Sequence, residues 1–175
     1  MNYRIAKLRE YLVNIIETLT NNQKFRINAN MLETNDSDVE SYSLDKIPTD
    51  TNVEKWIIGI FKRKDVFSFR SRKYYSQDTI NNLKNIGFFE EFERIIKSNN
   101  DEGILPDIQN IESIECLNCG TLNSVDGTMA TFDIQIQITY RESEGGIISL
   151  WKKLLQKWIS LLMGLNTYKV MKLQA

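Results

Sequence analysis

The sequence predicts an α+β fold: a mostly antiparallel sheet packed by helices on one side, followed by a C-terminal amphipathic helix. Three patterns predict it. Residues 128–141 alternate strictly, with Ala130, Phe132, Ile134, Ile136, Ile138 and Tyr140 set against Thr131, Asp133, Gln135, Gln137, Thr139 and Arg141. A strand with one face in a core and one polar face has this period of two. Residues 3–20 instead repeat apolar side chains (Ile5, Leu8, Leu12, Ile15, Ile16, Leu19) at three- and four-residue spacing, the stripe of a helix lying on a core. Between these segments the apolar runs are short and separated by turn residues, which points to hairpins and so to antiparallel pairing.

The other elements follow in order. Residues 24–32 alternate Phe25, Ile27, Ala29 and Met31 with Arg26, Asn28 and Asn30, a half-buried strand. Residues 33–52 are polar and acidic (Glu33, Asp36, Asp38, Glu40, Asp45, Asp50) and read as a long solvated loop. A hard-cation loop requires defined ligand spacing and a turn glycine; this segment has no glycine, so the loop reading is preferred to a metal site. Residues 54–61 are nearly continuously apolar and read as a strand buried on both faces. Lys62 to Asp65 would then form a charged turn, and residues 66–72 the second strand of a hairpin. Ser76 reads as a helix N-cap, with a helix to a break at Gly87 and a second helical piece carrying Phe88, Phe89, Phe92, Ile95 and Ile96. Leu105-Pro106 opens an extended stretch. A strand over 111–119 and a turn at Ser124–Gly127, cued by Asp126-Gly127, lead into 128–141. Residues 147–165 form the last amphipathic helix.

Composition limits the chemistry. The 175 residues suit one principal domain, 42% of them are hydrophobic, and the net charge is −1, which gives no sign of a nucleic-acid partner. There are no histidines. The chain therefore lacks the usual general base near neutral pH and the commonest metal ligand. Phosphate-binding glycine loops and nucleophile elbows are absent too. Cys116 and Cys119 form a C-x-x-C followed by Gly120-Thr121-Leu122-Asn123 rather than a helix. The pair reads as two ordinary reduced thiols, as in a cytosolic protein, because a zinc site needs more ligands and a redox pair needs a helix N-terminus. The opening residues lead straight into a charged amphipathic pattern, so no signal peptide is expected.

Three groups of residues are candidates for binding. The basic and aromatic run Lys62-Arg63-Lys64 through Arg70, Arg72, Lys73, Tyr74 and Tyr75 has the ingredients for phosphate contact and base stacking. Charges protecting a sheet edge are the reading preferred here, with steering of a protein partner as a third. Gln135 and Gln137 lie on the polar face of the long strand. Trp151, Leu154, Leu155 and Trp158 share one face of the C-terminal helix, with Lys152, Lys153 and Lys157 elsewhere. That face suits the protein's own core or a subunit contact, ahead of another protein's groove or a membrane surface.

The order of several segments resembles the tail-terminator, or tail-completion, proteins of tailed bacteriophages and phage-tail-like particles, including those described as minor capsid proteins. The segments are the N-terminal amphipathic helix, the strand around Trp56-Ile57-Ile58, Phe67-Ser68-Phe69, the Gly87-Phe88-Phe89-Glu90-Glu91-Phe92 helix, Leu105-Pro106, and the strand ending Phe132 to Tyr140. The resemblance covers residues 1–142, one α+β domain; residues 143–175, a C-terminal helical extension, lie outside it. It implies a structural protein rather than an enzyme, with no cofactor, metal or small-molecule substrate. Such a protein forms a homo-hexameric ring that caps the head-proximal end of the tail tube and ends tube polymerisation. Its implied partners are its own copies, the tail tube protein, and a head–tail connector or neck protein, with the sheath as a further one. The implied location is the bacterial host cytoplasm during assembly and the particle neck afterwards. The alternatives are another head–tail connector or neck-completion protein, a partner- or membrane-docking protein acting through the last helix, and a metal-dependent enzyme using the carboxylates of 33–50.

Overall fold

The computed structural model describes residues 3–21, 24–32, 40–56, 59–75, 79–143 and 154–158. Among the described residues up to 143, the elements run in chain order: α1 (Arg4–Leu19), β1 (Phe25–Ala29), β2 (Glu40–Ile47), β3 (Asn52–Lys55), β4 (Ile60–Tyr74), α2 (Thr79–Asp101), β5 (Ile111–Cys116), β6 (Thr121–Asp126) and β7 (Met129–Ser143). The fold is α+β, with one open sheet in the order β1-β2-β4-β7-β5. β3 extends the line of β2 along β4, and β6 that of β5 along β7. Every pairing is antiparallel except β1 with β2.

The spine is the β4–β7 pair, in register from Ile60↔Ser143 to Tyr74↔Met129. Alternation assigns its faces. Phe67 and Phe69 of β4 sit beside Ile136 and Ile134 of β7, with Leu44 of β2 beside Phe69. All are buried in one cluster with Leu8, Leu12 and Ile16 of α1 and Phe92 and Ile96 of α2. Both helices therefore cover the same face. Aromatic stacking ties the layers: Phe69 lies 5.4 Å from Tyr42 and 5.2 Å from Phe92, ring centre to ring centre. Such pairs add to the stabilisation from area burial alone.

α1 and β7 form where their periods predict them. α1 buries Leu8, Tyr11, Leu12, Ile15 and Ile16, and the six inward residues of β7 are all buried. Four other expectations need correction. Residues 40–47 are not loop but β2, inside the sheet between β1 and β4. Tyr42 and Leu44 are buried there, and pairing with β4 overrides the loop-like composition of Ser41, Ser43 and Asp45. Second, 54–61 is not a buried strand. β3 is exposed throughout and ends at Lys55, and Gly59, just before β4, takes φ 73°. Lys62 to Asp65 consequently lie inside β4, not in a turn. Third, α2 is unbroken at Gly87. A mid-helix glycine costs about 1 kcal/mol, which the burial of Phe89, Phe92 and Ile96 on the same helix exceeds. Fourth, β1 stops at Ala29, because Asn30 takes φ 57°, and Met31 is exposed.

A fifth difference concerns the segment before β7. The strand expected over 111–119 ends at Cys116, and residues 121–126 form a further strand, β6, before a two-residue bend at Gly127 and Thr128. Gly127 takes φ 58° there, which a residue without Cβ adopts freely. The expected N-cap Ser76, and Ile57 and Ile58, lie outside the described residues. Of the C-terminal helix expected over 147–165, residues 154–158 are helical and the remainder lies outside the described residues.

Candidate protein-interaction surface

The face of the sheet turned away from the helices carries several of the binding residues named from sequence. Arg70 pairs in register with Asp133, Ser68 with Gln135, Val66 with Gln137 and Lys64 with Thr139. Neighbours in register share a face, so Lys64, Arg70, Arg72, Gln135 and Gln137 form one surface. Arg63 does not join them. It points to the opposite side, where its Nε lies 2.6 Å from Glu142 Oε2 and its guanidinium 5.5 Å from the centre of the Phe61 ring.

The charges on this surface are largely matched. Arg70 Nε donates to Asp45 Oδ2 at 2.9 Å, and Ser43 Oγ donates to the same oxygen at 3.1 Å. Arg72 lies 3.8 Å from Asp126. Gln137 Nε2 donates to Glu115 Oε1 at 2.6 Å. Arg141 pairs with Glu112, which also takes Lys62 at 3.3 Å. Burial pushes the Glu112 carboxyl up, but the hydrogen bonds from Arg141 and Lys62 outweigh it and hold the group below its ordinary value. Trp56 packs its ring against the Arg141 guanidinium, 5.0 Å away.

Lys64 apart, the basic run of β4 is therefore committed within the chain rather than arrayed as a comb for phosphates. Lys73, the most basic-looking inward position, is buried: its Nζ donates to Tyr42 Oη at 3.0 Å and sits 3.9 Å from the centre of the Phe88 ring. What remains accessible is a polar, hydrogen-bonding surface of largely paired groups. Paired charges of this kind supply register and specificity in an interface more than raw affinity.

Sequence reasoning missed a second cluster, at the start of α1. Asp65, on an inward position of β4, is 1% exposed. Arg4 Nε of α1 donates to its Oδ2 at 3.0 Å, and Lys46 Nζ of β2 lies 2.7 Å from its Oδ1. The Arg4 guanidinium also stacks 4.3 Å above the Tyr140 ring. Burial raises the Asp65 pKa, Lys46 and Arg4 more than reverse this, and the carboxyl stays below its ordinary value. Tyr140 is pushed up, by burial first and then by Asp65. Arg4 borders two clefts of about 270 and 310 Å³. An ionised, doubly paired carboxylate is a poor proton acceptor at neutral pH, so the cluster fastens α1 to β2 and β4. The signal was present: Asp65 precedes Phe67 and Phe69 at the inward spacing of two.

The cysteines also have defined settings. Burial pushes the Cys116 thiol up to about 12, so it is protonated and unreactive near neutral pH, while Cys119 is exposed and both thiols are free. Gly120 fits against Phe89 so closely that a Cβ there would stand 2.2 Å from the Phe89 Cγ.

Leu154, Leu155 and Trp158 are 48%, 60% and 65% exposed on their helical segment; Trp151 lies outside the described residues. Among the described residues, no group of three or more cysteine or carboxylate side chains is placed to hold a metal ion. No described helix is long and apolar enough to cross a membrane. No protein-family model matches the chain, and no curated protein matches it either.

Proposed function

We propose that this chain is a structural assembly protein of the tail-terminator kind, a ring that caps the head-proximal end of a phage or phage-like tail tube and joins it to the neck. The observation that carries the reading is the open sheet with two unlike edges. β1 borders one side, and the β5–β6 line borders the other. An open strand edge offers unpaired backbone groups to a neighbour. Two different patches on one chain meet head to tail, and such contacts generate a closed ring when the rotation between copies closes. The residues quoted for the tail-terminator resemblance supply the particular kind of ring, and the polar face with Arg70, Gln135 and Gln137 supplies a surface for the tube or the neck. In this reading the protein is not an enzyme and works without a cofactor.

The test is polymerisation of the purified tail tube protein with and without the chain, with tube lengths read by electron microscopy. Short tubes, each bearing extra density at one end, are expected. Tubes of unchanged length with bare ends overturn the proposal. Normal tube lengths together with binding of the chain to a head connector select the neck-completion reading instead.

A further inference from the structure

The exposed helix at 154–158 and an exposed apolar patch elsewhere on the chain have not been given a role. The patch combines exposed apolar residues of β6 and of the first half of α2. Leu122 is in register with Phe132 and Val125 with Ala130, so both are on the helix-covered side of the sheet. The register shift between Leu122 and Ser124 lets two residues three apart share that side. Both are nevertheless exposed, as is Ile86 of α2. Phe89, one turn after Ile86, packs on Phe132 and against Gly120, which brings this flank of α2 beside the start of β6. Ile86, Leu122 and Val125, all exposed apolar residues on the helix-covered side, make up this apolar strip. Glu90 lies next to Ile86 on the helix, and Glu93, whose charge is felt by Cys116 on β5, follows along the same flank.

The charge of the chain is divided in a matching way. Residues 145–175 contain five lysines and no acidic residue. The chain's net charge is −1, so the first 144 residues carry −6. An apolar, wholly basic tail and an acidic body with an uncovered apolar strip are complementary in both respects. They do not cover each other within one copy, because Leu154, Leu155 and Trp158 are exposed as well. The chain leaves the sheet at Ser143, and β6 pairs no further along β7 than Asp133. Donor and acceptor thus start from opposite ends of the same strand, roughly 33 Å apart at 3.3 Å per residue.

From these facts we infer that the C-terminal helix docks in trans: Leu154, Leu155 and Trp158 of one copy occupy the Ile86–Leu122–Val125 strip of the next. The contact is heterologous, so each copy both gives and receives a helix, as a ring requires. This inference rests on the ring reading above and adds the partner for its exposed helix.

The experiment uses the full chain with a photo-crosslinking residue in place of Trp158, in an equal mixture of unlabelled and isotope-labelled protein. Mass spectrometry of the crosslinked peptides identifies the contact, and light scattering of Trp158→Glu and Leu122→Asp variants measures assembly. The expected result is crosslinks to α2 and β6 between differently labelled chains, with each variant lowering the oligomer's apparent affinity at least about tenfold. An equal mixture of the two variants assembles no better than either alone beyond the single intact interface that each heterotypic pair retains. Crosslinks confined to one label, or oligomers unchanged by both variants, overturn helix exchange while leaving the ring standing. A monomer at every concentration, with or without tube protein, overturns the ring itself. Binding of the wild type to anionic phosphatidylserine vesicles that Trp158→Glu abolishes, with no change in mass, overturns helix exchange in favour of a membrane surface.

Discussion

The two faces of the β4–β7 pair are made by the same strands and solve different problems. On one, Phe67, Phe69, Ile134 and Ile136 disappear under α1 and α2. On the other, Ser68, Arg70, Gln135 and Gln137 stay partly accessible, and Ser68, Arg70 and Gln137 are matched by Asp133, Asp45 and Glu115. The first face is held by apolar burial and aromatic stacking, which are strong and nearly indifferent to salt. The second is held by surface ion pairs, worth little to stability individually, but fixed in position and ready for another surface. The fold therefore places its stability on one side and leaves the other side polar and accessible.

Substitutions should separate the faces sharply. Phe69→Ala removes a fully buried ring that stacks on Tyr42 and Phe92; chemical denaturation should show a loss of about 3–5 kcal/mol. Gly120→Ala drives a methyl into Phe89 and should cost about 2–3 kcal/mol, because a packed ring must move. Either change leaving stability intact would mean the helix-covered face is looser than described.

Asp65→Asn tests the charged latch at the margin of that face. It leaves Arg4 and Lys46 without their shared carboxylate, but both are partly solvated, so about 1–2 kcal/mol is expected rather than the larger cost of a fully buried pair. The same latch sets a pH dependence. The Asp65 carboxyl is held below its ordinary value in the folded chain, so its contribution is fully present above the unfolded-state pKa of about 4 and is lost as pH falls through the folded value. Acid titration of the wild type should show this loss below about pH 4, and Asp65→Asn should remove part of it.

On the open face the expected stability effects are smallest. The double variant Arg70→Ala with Gln135→Ala should change stability by under about 1 kcal/mol while weakening attachment to tube or neck protein in a pull-down. A large stability loss, or unchanged attachment, would erase the distinction between the faces.

The comparison also explains what could be read from sequence. α1 and β7 were legible because their periods are complete within one segment. That Arg70, Gln135 and Gln137 stand on the polar faces of their own strands was legible by alternation alone, whereas their meeting on one surface needed the β4–β7 register. That its charges are matched was not, since the partner of Arg70 stands 25 positions away in a strand that reads as loop. β2 was hidden for the same reason: its buried apolar residues are only Tyr42 and Leu44, and serines flank them. The charges of Lys62 to Asp65 suggested a turn because their partners, Glu112, Glu142, Lys46 and Arg4, come from four other parts of the chain. Patterns confined to one element are written locally, whereas ion pairs across the sheet become visible only with register.

The central claim, that the two unlike edges close a ring, is most directly tested by the mass of the full chain in solution. Light scattering should be run across a range of concentrations, with and without tail tube protein, and the same fractions imaged by negative stain. The account predicts closed rings of about six copies, either alone or on contact with the tube. A mass of one chain under every condition, with no rings on the grid, would contradict it.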